Sequence, residues 1–375
     1  MNIDLVITEL APGGAERCLA ELAVGLAETG DRVRVCSIAS LPSADRGQLV
    51  DKIKNADIPL HSCECDHSYQ FVSAYQKLAK WMQAGQADLC QTFLFHANVL
   101  GTIAAERSGT KKRVGGLRVA EPNRFRELVE RWAVRRMDSL VCVSDAVQLF
   151  ALQRLNCPSA RSIVIPNGVD VSRFAGAPPL DWSAIGWPRD AQVILFVGRM
   201  HPQKGIDQLR RHIDRLIPKD THRRMLLVGD GPQAAEIDAW IEQVGDGRIK
   251  RLPWQPDVAP LMRSAQLLIL PSRYEGMPNV ILEAMAAGRP VVCSRVEGID
   301  ELLPARAATS ALQTYRPGDE AKMLDLVDAF CTAPETADEV GASNQAEVRN
   351  HFSMAAMIDA YRRHYRERLR ENSAD

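Results

Sequence analysis

The sequence predicts an α/β protein built from two doubly wound, mostly parallel domains, and three observations carry that expectation. Its 375 residues are about twice the length of an ordinary domain. Short apolar runs recur along the chain, each followed by a loop and a helical stretch, which is the pattern of βαβ units. The alternation is interrupted once, around Pro166 to Arg189, by a stretch rich in Pro, Gly, Trp and Asp that holds no sustained period. The expected division is therefore a first domain at 1–170, a linker at 171–189 and a second domain at 190–353.

The first domain opens with a strand from Ile3 to Thr8, a loop through Pro12, Gly13 and Gly14, and a helix carrying Leu19, Leu22, Ala23 and Leu26 at helical spacing. Gly30 ends that helix, and Val33 to Ile38 reads as the next strand. The pattern returns at Asp88 to Phe93, Ser139 to Val143 and Ser162 to Ile165. A second set follows at Val193 to Val197, Met225 to Val228, Ile249 to Leu252, Leu267 to Leu270 and Val291 to Cys293. Sheets of this kind bind ligands beyond the carboxyl ends of their strands, so two in tandem are expected to leave a cleft there.

Composition narrows the function classes. With 46 Lys+Arg against 47 Asp+Glu the net charge is −1, which argues against a nucleic-acid binder relying on bulk phosphate attraction. The segment Met1 to Glu9 has acids where a signal peptide would be basic, and no apolar run approaches the ~20 residues of a membrane helix. A cytoplasmic protein is expected, at most resting on the inner face of a membrane. Nine scattered cysteines, with only Cys63 and Cys65 close in sequence, argue for reduced thiols and against a zinc or disulfide framework.

The most informative segment runs from Leu267 to Gly288. A buried strand enters a short loop, Pro278 is placed to start a helix, and Gly288 to stop it. The helix N-terminus then lies at a strand's carboxyl end, where its amides favour a phosphate or a polar sugar. Glu275 sits in the loop and Glu283 about one turn into the helix, so both carboxylates can face one ligand and accept hydrogen bonds from a vicinal diol. Alone, two glutamates eight apart would be surface charges; the strand-loop-helix setting argues for more. A second constellation, Gly198-Arg199-Met200-His201-Pro202-Gln203-Lys204-Gly205, also follows a strand. Its two cations suit a diphosphate whose charge grows as it departs, although Arg and Lys in loops are usually just solvated.

Together these residues resemble a known family. Gly198-Arg199 with Lys204, Gly229-Asp230-Gly231-Pro232, the E-x7-E spacing from Glu275 to Glu283, and the early Gly13-Gly14-Ala15-Glu16-Arg17 loop are similar to the family 4 glycosyltransferases. The resemblance implies the GT-B fold, two Rossmann-like domains facing each other across a cleft, with a C-terminal helix at 354–375 returning to the first domain. It implies that Arg199 and Lys204 bind the donor diphosphate, that Glu283 binds the nucleotide ribose, and that Glu275 with the backbone of Gly276, Met277, Pro278, Asn279 and Val280 holds the transferred sugar. His96, just beyond the strand ending at Phe93, matches the family's active-site histidine, although a lone His beside apolar residues is more often a core group. Gly13 and Gly14 would let backbone amides approach donor phosphates or acceptor, or would simply make an ordinary βα turn.

The implied reaction is transfer with retention of a hexose from a nucleotide-diphosphate sugar, UDP-sugar favoured, to a hydroxyl of a glycan or lipid-linked acceptor, as in polysaccharide or lipopolysaccharide biosynthesis. No acidic D-x-D cluster is present, so neither a metal nor another cofactor is expected. A sugar-nucleotide epimerase on the same scaffold and a non-catalytic nucleotide-sugar-binding protein are the alternatives. The E-x7-E spacing speaks against the first, and the full set Arg199, Lys204, Glu275, Glu283 and His96 against the second.

Two stretches bear on the acceptor. Residues 107–136 hold ten basic side chains against Glu121, Glu127 and Glu130, a local charge of +7. Phe125, Leu128, Val129, Trp132 and Ala133 recur there at helical spacing. The ordinary expectation is a helix with its apolar face packed on its own sheet and a wet basic face; peripheral contact with an anionic membrane is the alternative. At the C-terminus Met354, Met357, Ile358, Tyr361, Tyr365 and Leu369 fall on one helix face, which suits a structural role.

Overall fold

The computed structural model describes residues 1–120, 123–303 and 309–371. The chain forms two compact units, Met1–Gly168 with Met354–Asp375, and Val169–Ser353. Glu121, one of the acids counted above, and residues 372–375 of the last expected helix lie outside the described residues.

The first unit is a seven-stranded parallel sheet of β1 (Asn2–Ile7), β2 (Arg32–Ser37), β3 (Leu60–Ser62), β4 (Leu89–Phe93), β5 (Lys112–Leu117), β6 (Ser139–Cys142) and β7 (Ser162–Val164). Its order is β3-β2-β1-β4-β5-β6-β7. Ile7 pairs with Ser37 on one side and Phe93 on the other, so the winding reverses between β1 and β4. Chain leaving those two strands turns to opposite faces, and the ligand crevice of such a sheet opens there.

Period-two alternation places the core. Ile3, Leu5 and Ile7 face a layer formed by Leu19, Leu22 and Leu26 together with Tyr361 and Tyr365 of the last helix, Met354–Arg370. Val6 faces the opposite layer with Leu78, Met82, Cys90 and Ala97. Asp4, buried on a central strand, is paired with Arg34 at 2.7 and 2.9 Å, and the guanidinium lies 4.1 Å from the Trp81 ring centre. Burial nevertheless leaves the Asp4 carboxyl above its ordinary range. The last helix is also tied in by polar contacts: Tyr365 Oη donates to Gln91 Oε1 at 3.1 Å, and Ser139 Oγ lies 2.6 Å from His364 Nε2. All nine cysteines are buried free thiols, Cys36 and Cys63 approaching to 3.8 Å.

The second unit is a six-stranded parallel sheet of β8 (Gln192–Val197), β9 (Arg223–Val228), β10 (Ile249–Leu252), β11 (Leu267–Leu270), β12 (Val291–Ser294) and β13 (Thr314–Tyr315), in the order β10-β9-β8-β11-β12-β13. Its winding reverses between β8 and β11, where Leu268 pairs with Leu195.

The stretch at 171–189, expected as a linker, is instead built into this unit. It holds a short helix, Val171–Ala175, and two buried tryptophans, Trp182 and Trp187, with ring centres 6.1 Å apart. Trp187 Nε1 donates to Gly247 O at 2.7 Å. The prolines and glycines mark turns between anchored aromatics, not a free tether. Among the described residues no helix is long and apolar enough to cross a membrane.

Candidate functional site

In the second unit, both constellations singled out in the sequence lie at the switch point. Gly198, Arg199 and Lys204 follow β8, and Glu275 to Val280 follow β11. The two loops are stitched together by one backbone and one side-chain hydrogen bond: Arg273 N donates to Gln203 O at 2.8 Å, and Gln203 Nε2 to Tyr274 O at 2.9 Å. Gly205 has a φ of +68° and sits so close to Pro271 that a Cβ would lie 2.0 Å from its carbonyl oxygen. Only glycine combines that backbone with that approach. The Gly229-Asp230-Gly231-Pro232 motif braces the β8 loop from the other side, with Met200 N donating to Asp230 O at 2.8 Å and Gln233 N to Met200 O at 3.0 Å.

The consequence is a buried ion pair. Lys204 Nζ lies 2.5 Å from Glu275 Oε1, and their side chains are only 16% and 8% exposed. Ser272 Oγ donates to the same oxygen at 2.6 Å. Ser272 is itself fixed through its carbonyl, which accepts from Ser294 Oγ. Two residues expected to touch different parts of a donor are thus held by each other, while Arg199 is exposed and has no hydrogen-bond or ion-pair partner among the described residues.

The helix Asn279–Ala286 begins at the loop's end with Pro278 as N-cap, a residue without a side-chain acceptor. Its dipole therefore reaches the loop without a capping group of its own at that position. Gly276, Met277 and Pro278 are buried, Asn279 and Val280 half-buried. Glu283 is 5% exposed, as deep as a core residue. A glutamate buried this far is not one of the surface charges that an isolated pair would be.

In the first unit the other expected residues also follow the two switch-point strands. His96 is the second residue of the helix Phe95–Arg107, directly beyond β4, and it is exposed. Partial desolvation and the nearby Arg126 guanidinium lower its pKa, so the neutral imidazole is the form present at neutral pH. Leu94, before it, has φ +74° and ψ 162°, a region essentially reserved for glycine. Strain of that kind at the start of a helix fixes how His96 leaves the sheet.

Gly13 caps the helix Gly14–Glu28 beyond β1. Sequence reading gave no role to Glu16, yet it dominates this loop. It is 8% exposed, and its carboxylate folds back so that a Cβ on Gly13 would meet Oε2 at 2.2 Å. Burial pushes its pKa up to about 7 against the opposing pull of the Ala15 and Glu16 amides and Arg118. Ser272 and Ser294 were likewise missed; the one signal for Ser272 was its place between Pro271 and Glu275.

Two parallel doubly wound units, each with its polar loops at a switch point, and a cationic loop beside a helix N-terminus, define a protein of the GT-B class. Models of two glycosyltransferase domains match the chain: Glycosyltransferase Family 4 over residues 12–173 and Glycosyl transferases group 1 over 191–331. The chain belongs to the family 4 glycosyltransferases. It is 28% identical to the UDP-Gal:alpha-D-GlcNAc-diphosphoundecaprenol alpha-1,3-galactosyltransferase of Escherichia coli over 59% of its own length and 61% of that relative's. It is also 28% identical to the phosphatidyl-myo-inositol mannosyltransferase of Mycolicibacterium smegmatis, over 78% and 75% of the two chains. The fold is shared with Anabaena HepE, solved in complex with UDP, at a TM-score of 0.82 and 21% identity over 98% of this chain and 100% of that one.

Proposed function

We propose that this glycosyltransferase moves a hexose, with retention, from a nucleoside-diphosphate sugar to a hydroxyl of a glycan or lipid-linked acceptor. The observation that carries the reading is the Lys204–Glu275 pair at the β8/β11 switch point, with Arg199 exposed beside it and Glu283 buried in the adjoining helix. Arg199 and Lys204 take the diphosphate, the helix N-terminus adds its dipole, and these charges offset the negative charge that grows on the leaving group. A diphosphate oxygen leaving from the same face of the sugar takes the proton of the incoming hydroxyl, which keeps the anomeric configuration. Glu283 accepts from the ribose hydroxyls and Glu275 from the sugar. His96, neutral at pH 7, positions sugar or acceptor on the side of the first unit. A UDP-sugar is favoured because the E. coli relative is named for UDP-Gal and the Anabaena neighbour was solved with UDP. A lipid-linked acceptor is favoured because both relatives carry lipid acceptors in their names.

Since the cations and the helix N-terminus supply the positive charge, the reaction is proposed to need no metal. The test is a thermal-shift series with UDP, GDP, ADP and their sugar conjugates, in which a ligand at 100 times its Kd adds ~2.7 kcal/mol of stability. UDP and a UDP-hexose should raise the melting temperature and ADP should not; transfer should survive EDTA. No response to any nucleoside diphosphate sugar would refute the reading.

A further inference from the structure

The helix Arg124–Val134 is amphipathic in the opposite sense to the ordinary expectation. Phe125, Leu128 and Trp132, which were expected to pack on the sheet, are 74%, 61% and 40% exposed. Of the expected apolar face Ala133 does turn inward, and it is joined there by Val134 and two glutamates, Glu127 and Glu130. Glu127 is held at 3.0 and 3.2 Å by Arg154 from a neighbouring helix. With its acids turned inward and the inner Glu127 paired, the outer face of this helix is left with apolar groups flanked by exposed Arg124 and Arg135.

A stripe of Phe, Leu and Trp repeated at helical spacing on a solvent-facing side is not how a soluble helix stabilises itself. We infer that this face docks on an anionic phospholipid bilayer, its apolar side chains entering the headgroup boundary and its arginines meeting the lipid phosphates. Charge selects that occupant. Arginines bordering an aromatic stripe complement the negative surface of such a bilayer.

The position of the face gives docking a purpose. Arg126, on the first turn, lies 4.6 Å from the Phe95 ring centre, and Phe95 meets the His96 ring edge-on at 5.2 Å. The helix Phe71–Gly85 packs on the far side of the His96 helix and starts with a second exposed apolar group, Tyr69, Phe71 and Val72. Successive βα helices of a parallel sheet start at the same edge, so apolar side chains flank the start of the His96 helix on both sides. Docking there brings the bilayer to the acceptor side of the first unit. That purpose rests on the lipid-linked acceptor proposed above, whereas binding to lipid does not.

The test is cosedimentation of the full-length protein with vesicles of equal parts phosphatidylglycerol and phosphatidylcholine, and with phosphatidylcholine alone, at low and high salt. The wild type should bind the anionic vesicles about tenfold or more tightly than the neutral ones, and less as salt rises. The variant Phe125→Ser/Leu128→Ser/Trp132→Ser, with its far-UV spectrum and melting temperature unchanged, should lose most of that binding. The variant Arg124→Glu/Arg135→Glu should lose the salt-dependent part, and Trp132→Phe should keep binding while the wild type's blue shift in fluorescence disappears. No binding to anionic vesicles, equal binding to both lipids, or unaltered binding by the serine variant overturns the proposal. A wild-type dimer in gel filtration that the serine variant dissolves would assign the face to a second copy and overturn it as well. Failure of UDP to stabilise a protein that still binds vesicles would count against the donor reading alone.

Discussion

Lys204 and Glu275, contributed by loops after different strands, meet at 2.5 Å with both side chains nearly out of water. Neither charge tolerates that burial alone, so each depends on the other. Lys204→Ala should therefore destabilise the second unit by roughly 3 kcal/mol, because among the described residues Glu275 is left with only the Ser272 hydroxyl. The double variant Lys204→Met/Glu275→Gln should regain about 2 kcal/mol of that loss while remaining inactive. Urea denaturation of Lys204→Met, Glu275→Gln and the double variant measures the coupling, and additivity would show that the pair is not formed in solution.

The proposed donor site predicts that donor binding and fold stability separate at two other positions. Arg199 is exposed, so Arg199→Ala should leave the melting temperature unchanged and weaken UDP binding about tenfold. Glu283→Gln, which keeps the volume of a buried side chain, should weaken UDP binding by roughly 30-fold, the loss of one charge-assisted hydrogen-bonded contact. Calorimetric titration with UDP measures both; affinity unaltered in both variants would remove these residues from the site.

Glu16 makes stability depend on pH in a defined direction. Its carboxyl titrates at about 7 in the folded protein against an ordinary 4.5. Between those values the folded state keeps a proton that the unfolded chain has released. Stability from this group is therefore complete below pH 4.5 and falls as pH rises through 7, by up to roughly 3 kcal/mol. Glu16→Gln cannot ionise, so the difference in unfolding free energy between variant and wild type should widen from pH 5 to pH 8. Parallel curves would place Glu16 in water.

Gly205 allows a controlled comparison with Gly247. Both have positive φ, +68° and +72°, but a Cβ on Gly205 would strike the Pro271 carbonyl at 2.0 Å, whereas Gly247 has nothing within 4 Å. Gly247→Ala should cost about 1 kcal/mol from backbone strain alone. Gly205→Ala should cost roughly 3 kcal/mol and weaken UDP binding, because it drives apart the loops that bring Lys204 to Glu275. Equal effects in thermal unfolding would show that the close approach does not matter.

The parallel sheets were legible because most strands are unbroken apolar runs, as in Leu267 to Leu270, all buried. β5 was not: it reads Lys-Arg-Val-Gly-Gly-Leu, a basic segment with a turn signal. In the structure Gly115 and Gly116 are mid-strand, where a Cβ would meet Met137 Sδ at 2.4 Å and Thr92 O at 2.6 Å. Those glycines answer to neighbours that are distant in sequence. Helical periodicity at 124–134 was equally visible, but a period cannot say which face turns inward when a buried acid, Glu127, is matched by Arg154, over twenty residues away. Glu283 and Lys204 could be singled out because strand, loop and helix signals converge on them. Glu16 could not, since an acid in a first helical turn is ordinary.

The first unit is interrupted. Its sheet ends at Val164, and the helix that fills one side of its core begins only at Met354. Tyr361 and Tyr365, both fully buried, are the largest side chains in that layer. On a ribosome adding 5–20 residues per second, roughly 10–40 s separate the last strand from these two tyrosines. Through that interval the nascent sheet shows an apolar groove with no occupant, while the whole second unit is made and can complete its own sheet. The half of the enzyme that is synthesised first is thus the half that finishes folding last.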